Sequence, residues 1–208
     1  MSRVLFVRHA TTPGMRAARF PDDEDADPAS LSRAASVASA TALWPTFAAA
    51  PGADSGAAAS SGPSGAAVWV APVRAARQTA AALGLEAQET PALREADPGR
   101  WRGLAYERVA SEEPEALARW LADPHAAPHG GESLTALAAR VAGWLDSVRG
   151  RPAIAVCDTG AIRAALGHAL GLGPSDTSRF DLAPLSTTEL TVTRDGWRVA
   201  HVNRKVLF

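Results

Sequence analysis

The sequence predicts an α/β fold in three layers, a mostly parallel sheet with helices flanking both faces. Three observations carry that expectation. Short apolar runs at residues 3–7 (RVLFV, which alternates only weakly), 67–70 (AVWV) and 153–156 (AIAV) suit strands covered on both sides. Helical patterns separate them, the order expected of parallel strands joined by crossover helices. Each run also ends in polar, ionisable or small residues: Arg8-His9, residues 71–79, and Cys157-Asp158-Thr159-Gly160. Ligands of such sheets bind beyond the carboxyl ends of the strands, so these ends are the place to look for chemistry.

The remaining elements follow in order. After the first strand come a Pro/Gly loop (Thr12-Pro13-Gly14) and the acidic stretch PDDEDADPAS, which reads as a solvated face around residues 22–25. Ser30 or Ser32 is expected to cap a helix running to about Trp44. Residues 48–67 (AAAPGADSGAAASSGPSGAA) have no apolar period and read as a flexible surface excursion within one domain, residues 1–208. A helix is expected from Pro72 to about Leu83, then an irregular region at 91–103, a helix at 114–122 and a His/Pro/Gly loop at 123–131. Residues 133–148 place Leu134, Leu137, Val141, Trp144, Leu145 and Val148 at spacings of three and four, the pattern of an amphipathic helix. A helix at 160–170 follows the third strand. A closing hairpin joins 189–193 to 197–203 through the Asp195-Gly196 turn.

Composition excludes several functions. The formal net charge is −1, and no Lys/Arg block is dense enough to track a nucleic-acid backbone. The single cysteine, Cys157, allows neither a disulfide framework nor a cysteine-based zinc site within the chain. His and carboxylate residues show no ligand-spaced motif, so no metal or other cofactor is expected. No apolar run reaches the length of a membrane span or a secretory signal, and the expected address is the cytoplasm. Oligomeric state has no signature in the sequence.

Five segments converge on the strand ends, and together they carry a resemblance. VLFVRHATT (4–12) resembles the opening strand and RHG motif of the histidine phosphatase superfamily, in its phosphoglycerate mutase-like branch. APVRAARQTA (71–80) is similar to its SPLxRAxQTA motif, LREADPGRWRG (93–103) to its acid–base segment, and HGGESL (129–134) to its GES loop. VCDTGAIRAAL (156–166) aligns without gaps on a motif that normally reads V-S/T-H-G/A-x-x-IRAL. The matches lie in order from residue 3 to about 170.

That resemblance implies a phosphoglycerate mutase-like fold and a specific chemistry. An imidazole nitrogen attacks phosphorus, a phosphohistidine forms, and water hydrolyses it. Cations gather the charge on the phosphoryl oxygens, and a carboxylic acid protonates the leaving oxygen. By position, His9 is the nucleophile, Arg8 the first phosphate clamp and Glu95 the proton donor. Asp97 is a rival acid because it too precedes Gly99; motif spacing favours Glu95.

Two positions depart from the family pattern. The second clamp arginine falls at Ala75, between Arg74 and Arg77. Helix neighbours diverge by about 100° per residue, so neither automatically faces the pocket, although a shifted helix start would swing Arg74 inward. The second histidine falls at Asp158, which when ionised only accepts hydrogen bonds and repels phosphate. Asp158 is also a natural helix N-cap, and its nearest pocket role is to pair with a charged His9. In the first motif Ala10 replaces glycine, a change tolerated where φ stays negative.

Other residues read as bland. Arg163, in the IRAA segment, reads as a structural ion-pair partner. His125 and His129 read as solvated loop histidines, and Trp101 and Trp120 as packing residues with Trp101 the better pocket wall. The expected function is phosphomonoester hydrolysis through His9 on a small phosphorylated metabolite, weakened at positions 75 and 158. The alternative is a non-catalytic relative that binds a metabolite or a protein partner. Mutase activity ranks below both, because a mutase must hold a second phosphate.

Overall fold

The computed structural model describes residues 2–39 and 65–205. A mixed, mostly parallel six-stranded sheet runs through its centre. The strands are β1 (Arg3–Arg8), β2 (Ala67–Val70), β3 (Gln88–Glu89), β4 (Ala153–Cys157), β5 (Ser186–Thr193) and β6 (Gly196–Lys205), in the spatial order β3-β2-β4-β1-β5-β6. The first four are mutually parallel, and β5 joins β1 antiparallel. All five residues of β4 are buried, as are the central four of β1. Their continuous apolar runs follow from cover on both faces.

Flanking helices are α1 (Pro13–Arg16), α2 (Pro28–Ser39), α3 (Arg74–Ala82), α4 (Tyr106–Glu112), α5 (Pro114–Ala122), α6 (Leu134–Ser147), α7 (Thr159–Leu170) and α8 (Pro174–Thr177). The expected face of α6 is buried: Leu137, Val141, Trp144 and Leu145 point inward, and Trp144 meets Phe6 of β1 edge-on at 5.9 Å. A second, smaller cluster of Phe20, Trp101 and Val109 gathers the loops beyond the strand ends. No helix among the described residues is long and apolar enough to cross a membrane.

Several expectations need correction. Helix α2 begins at Pro28, so neither serine caps it; Ser30 is buried and accepts the Thr11 N–H at 3.1 Å, and Ser32 Oγ donates to Pro28 O at 3.0 Å. Its expected end near Trp44, and most of the excursion at 48–67, lie outside the described residues; Ala67 already belongs to β2. Helix α3 starts at Arg74 rather than Pro72, because Asp23 Oδ1 accepts the Arg74 N–H at 2.6 Å in place of a local cap. The acidic stretch is therefore not a merely solvated face. Asp25 Oδ1 takes a hydrogen bond from Gln78 Nε2 at 2.9 Å, and Glu24 Oε2 takes the Gly14 N–H at 2.6 Å.

Register is what builds the site. Arg8 pairs with Cys157 across the β1–β4 ladder, and the next residue continues it, His9 N–H donating to Cys157 O at 3.0 Å. His9 and Asp158 are thus the next residues on adjacent parallel strands. Their proximity is fixed by backbone pairing.

Candidate active site

The strand ends open into a cavity of about 970 Å³. Arg8, His9, Ala75, Glu95, Asp158 and Arg163 all line it. His9 is 4% exposed. Its Nδ1 lies 2.7 Å from Ala10 O, an acceptor, so Nδ1 carries a proton and the other nitrogen is the one able to attack. That nitrogen, Nε2, lies 3.3 Å from Asp158 Oδ2. Burial alone would lower the His9 pKa, but the charge and hydrogen bond of Asp158, helped by the Ala10 carbonyl, raise it against the opposing charge of Arg8. Both ring nitrogens are engaged, and the pairing favours the protonated ring.

Asp158 has two duties. Its Oδ1 caps α7 by accepting the Thr159 N–H at 2.6 Å, while Oδ2 faces His9. Burial would raise its pKa, yet His9, the charge of Arg8 and the Thr159 N–H hold it well below the usual carboxylate range. The two alternatives for this residue, cap and pocket group, are realised together. Ala10 is buried without positive φ, and its N–H donates to Thr79 Oγ1 at 2.9 Å.

Glu95, not Asp97, is the carboxylate brought beside Asp158. Its Oε2 accepts the Gly160 N–H of α7 at 2.7 Å, and Oε1 accepts the Ala96 N–H at 2.9 Å. Burial first, and the charge of Asp158 second, push its pKa up to about 7 despite those two bonds. Asp97 turns outward to pair with Arg102 at 2.5 Å. Seating Glu95 requires a glycine at 160, since a Cβ there would stand 1.8 Å from Glu95 Oε1. We expect Gly160→Ala to swing the flexible Glu95 side chain off α7 and return its pKa to the ordinary glutamate range. A carbon-13 titration of the Glu95 carboxyl checks this, and a midpoint still near 7 would contradict it.

The supporting shell was only partly visible in the sequence. Glu132, in the GES loop, makes a two-pronged pair with Arg140 at 2.9 and 2.6 Å, and Arg140 Nη1 donates to the carbonyls of Pro91, Ala92 and Arg94. This clamp fixes the chain just before Glu95. The quoted motif was the signal, but it does not reveal the partner.

Other expected residues move. Arg74 is not brought to the cavity: its guanidinium bonds the Asp23 carbonyl and pairs with Asp25 at 3.4 Å, because α3 starts where the acidic loop reaches it. Arg77 pairs with Glu89 at 3.1 Å. Trp101 is fully buried behind the site with its Nε1 donating to Glu113, and Trp120, together with Phe20 and Tyr106, forms the wall instead. His129 is a buried cavity residue accepting the Gly131 N–H at 3.0 Å, not a solvated one; His125 is exposed. Arg163 makes no ion pair among the described residues, and both its hydrogen bonds go to Phe180 O. No three His, Cys, Asp or Glu side chains converge as metal ligands among the described residues.

A mostly parallel sheet with an arginine and a histidine at the end of β1, an acid seated on α7 and the GES clamp define a class of α/β protein with an ionisable site beyond its strand ends. A family model of the histidine phosphatase superfamily (branch 1) matches residues 52–205, and the chain belongs to that superfamily. The match begins after β1, so Arg8 and His9 fall outside it. Phosphoserine phosphatase 1 of Hydrogenobacter thermophilus is 36% identical over 110 residues, 50% of this chain and 51% of that one. A bifunctional protein of Mycobacterium tuberculosis is 34% identical over 134 residues, 60% of this chain and 37% of that one. The matches thus span about half or less of these relatives' lengths. Among solved structures, a mycobacterial glucosyl-3-phosphoglycerate phosphatase complexed with VO3 superimposes with a TM-score of 0.77 at 23% identity, over 99% of this chain and 100% of that one. A phosphoserine phosphatase from Entamoeba histolytica gives 0.76 at 15%, over 98% and 97%. At such identities these two establish the phosphoglycerate mutase-like fold.

Proposed function

We propose that this chain is a phosphomonoesterase of the histidine phosphatase type, acting through His9 on a small phosphorylated metabolite, with turnover held low by Asp158. The observation that carries the reading is the contact of 3.3 Å between His9 Nε2 and Asp158 Oδ2. Attack on phosphorus needs that nitrogen unprotonated, whereas the pair keeps it protonated and holds a negative charge where the phosphoryl oxygens would sit. The relatives named for phosphoserine and glucosyl-3-phosphoglycerate support a phosphomonoester as substrate class. A cytoplasmic setting belongs to the same reading, since it supplies such metabolites.

The protonation states also conflict. His9 must be neutral, which its raised pKa delays, while Glu95 must keep the proton it releases around pH 7. The reactive combination is a minority of the population at every pH. We therefore expect little turnover of an aryl phosphate by the purified protein, with the residue abolished by His9→Ala. Ordinary phosphatase rates in the natural chain would overturn the low-turnover reading. A non-catalytic metabolite-binding role is favoured by one observation, that both His9 nitrogens are engaged; phosphate binding together with background rates that His9→Ala leaves unchanged would select it.

A further inference from the structure

The pocket has lost cations at positions 75 and 158, yet one arginine that the sequence assigned to structure faces it. Arg163 sits one helical turn beyond Gly160 on α7, the same face that receives Glu95, and lines the cavity with Arg8. Its Nε and Nη2 both donate to Phe180 O, at 3.1 and 2.8 Å. Arg8 is held in the same manner, with Nη1 donating to Leu182 O. The two guanidinium groups are thus anchored on one connecting segment, at residues two apart. Two residues of chain span at most about 7 Å, so the anchors are close neighbours. Arg8 registers its neighbour, for after burial the charge of Arg163 helps lower its pKa.

Neither side chain is saturated by its anchor. Arg8 Nε is buried without a hydrogen-bond partner among the described residues, an arrangement that disfavours the empty state. No ion pair engages Arg163 among the described residues, whereas Arg74 and Arg77 are paired with Asp25 and Glu89 outside the cavity. Arg19 reaches only the exposed rim. The carboxylates facing the two cations are Asp158, Glu95 and Asp181. Asp158 is turned to His9 and Thr159, and Glu95 to two backbone N–H groups. A tetrahedral anion with several acceptor oxygens suits a pair of guanidinium groups fixed in this way.

We infer that Arg163 is the second phosphate-binding cation of this pocket, working with Arg8 where positions 75 and 158 supply none. The inference rests on the phosphate-pocket reading above and concerns binding, so its test does not depend on turnover. Orthophosphate is titrated into the natural chain while the nitrogen-15 shifts of the arginine Nε groups are followed. Arg8 and Arg163 are both expected to move with one binding isotherm. Arg163→Met is expected to weaken orthophosphate binding at least tenfold by calorimetry, and Arg163→Lys by less, since the charge stays while the fork is lost. Movement of Arg8 alone, or an Arg163→Met chain that folds and binds phosphate within twofold of the natural one, overturns the assignment. If Arg163→Met fails to fold, the shift of Arg163 in the natural chain decides. Were neither arginine to respond, the phosphate-pocket reading would fall together with the inference.

Discussion

A chain carrying both Ala75→Arg and Asp158→His is expected to hydrolyse an aryl phosphate at least about 100-fold faster than the natural chain. The estimate follows from charge. Two unit charges 4 Å apart interact by roughly 4 kcal/mol at an effective dielectric near 20, and each 1.4 kcal/mol is worth about tenfold in rate. Replacing the Asp158 carboxylate removes a repulsion of that order and frees His9 Nε2 from its partner. The arginine at 75 adds a clamp from a residue that already lines the cavity. The double variant loses the α7 cap at Thr159, a penalty of about 1 kcal/mol. Steady-state kinetics with an aryl phosphate decide the matter, and a folded double variant with no gain and no phosphate binding would show that these two positions are not the pocket's missing cations.

The second large effect concerns stability against pH. Glu95 has its folded pKa raised from 4.5 to about 7. The folded chain therefore holds a proton that the unfolded chain releases, and stability falls as pH rises between those two values. The penalty is fully present above about pH 7, and at about 1.4 kcal/mol per unit it amounts to roughly 3.5 kcal/mol. Glu95→Gln removes it. Urea unfolding should show the variant stabilised relative to the natural chain at pH 8.5 but not at pH 4. An equal difference at both pH values would mean that the Glu95 proton is not the cause.

In the ion pair beside it, Asp158 has the opposite pH dependence and His9 the same one. Asp158 contributes stability above the unfolded carboxylate pKa that is lost as pH falls through its depressed folded value. His9 contributes below its unfolded value, and that contribution is lost as pH rises through its raised one. The pair thus supports the fold between those limits.

Much of the scaffold was legible because its signals are local. Buried parallel strands read as unbroken apolar runs, and α6 declared itself by spacing. Helix α4 did not, since Val109 is its one buried residue and no period forms. The start of β5 was equally hidden, because Ser186, Thr187 and Thr188 are polar yet buried. Within the site, His9, Glu95 and Asp158 could be placed by order and spacing. Arg74 could not, as its direction depends on an acidic loop about fifty residues earlier. Arg163 and the Glu132–Arg140 clamp depend on contacts to backbone carbonyls, and a carbonyl leaves no mark in a sequence.

Asp158 at the head of α7 also makes the order of substitutions matter. Because the same side chain caps a helix with one oxygen and faces the buried His9 ring with the other, removing it alone removes two supports at once. Ala75→Arg breaks no polar side-chain contact, although it adds bulk at a buried position. A chain given the two substitutions one at a time would meet the steeper loss at 158, and would cross it more easily with the arginine already in place. The two missing residues are equal as chemistry but unequal as steps.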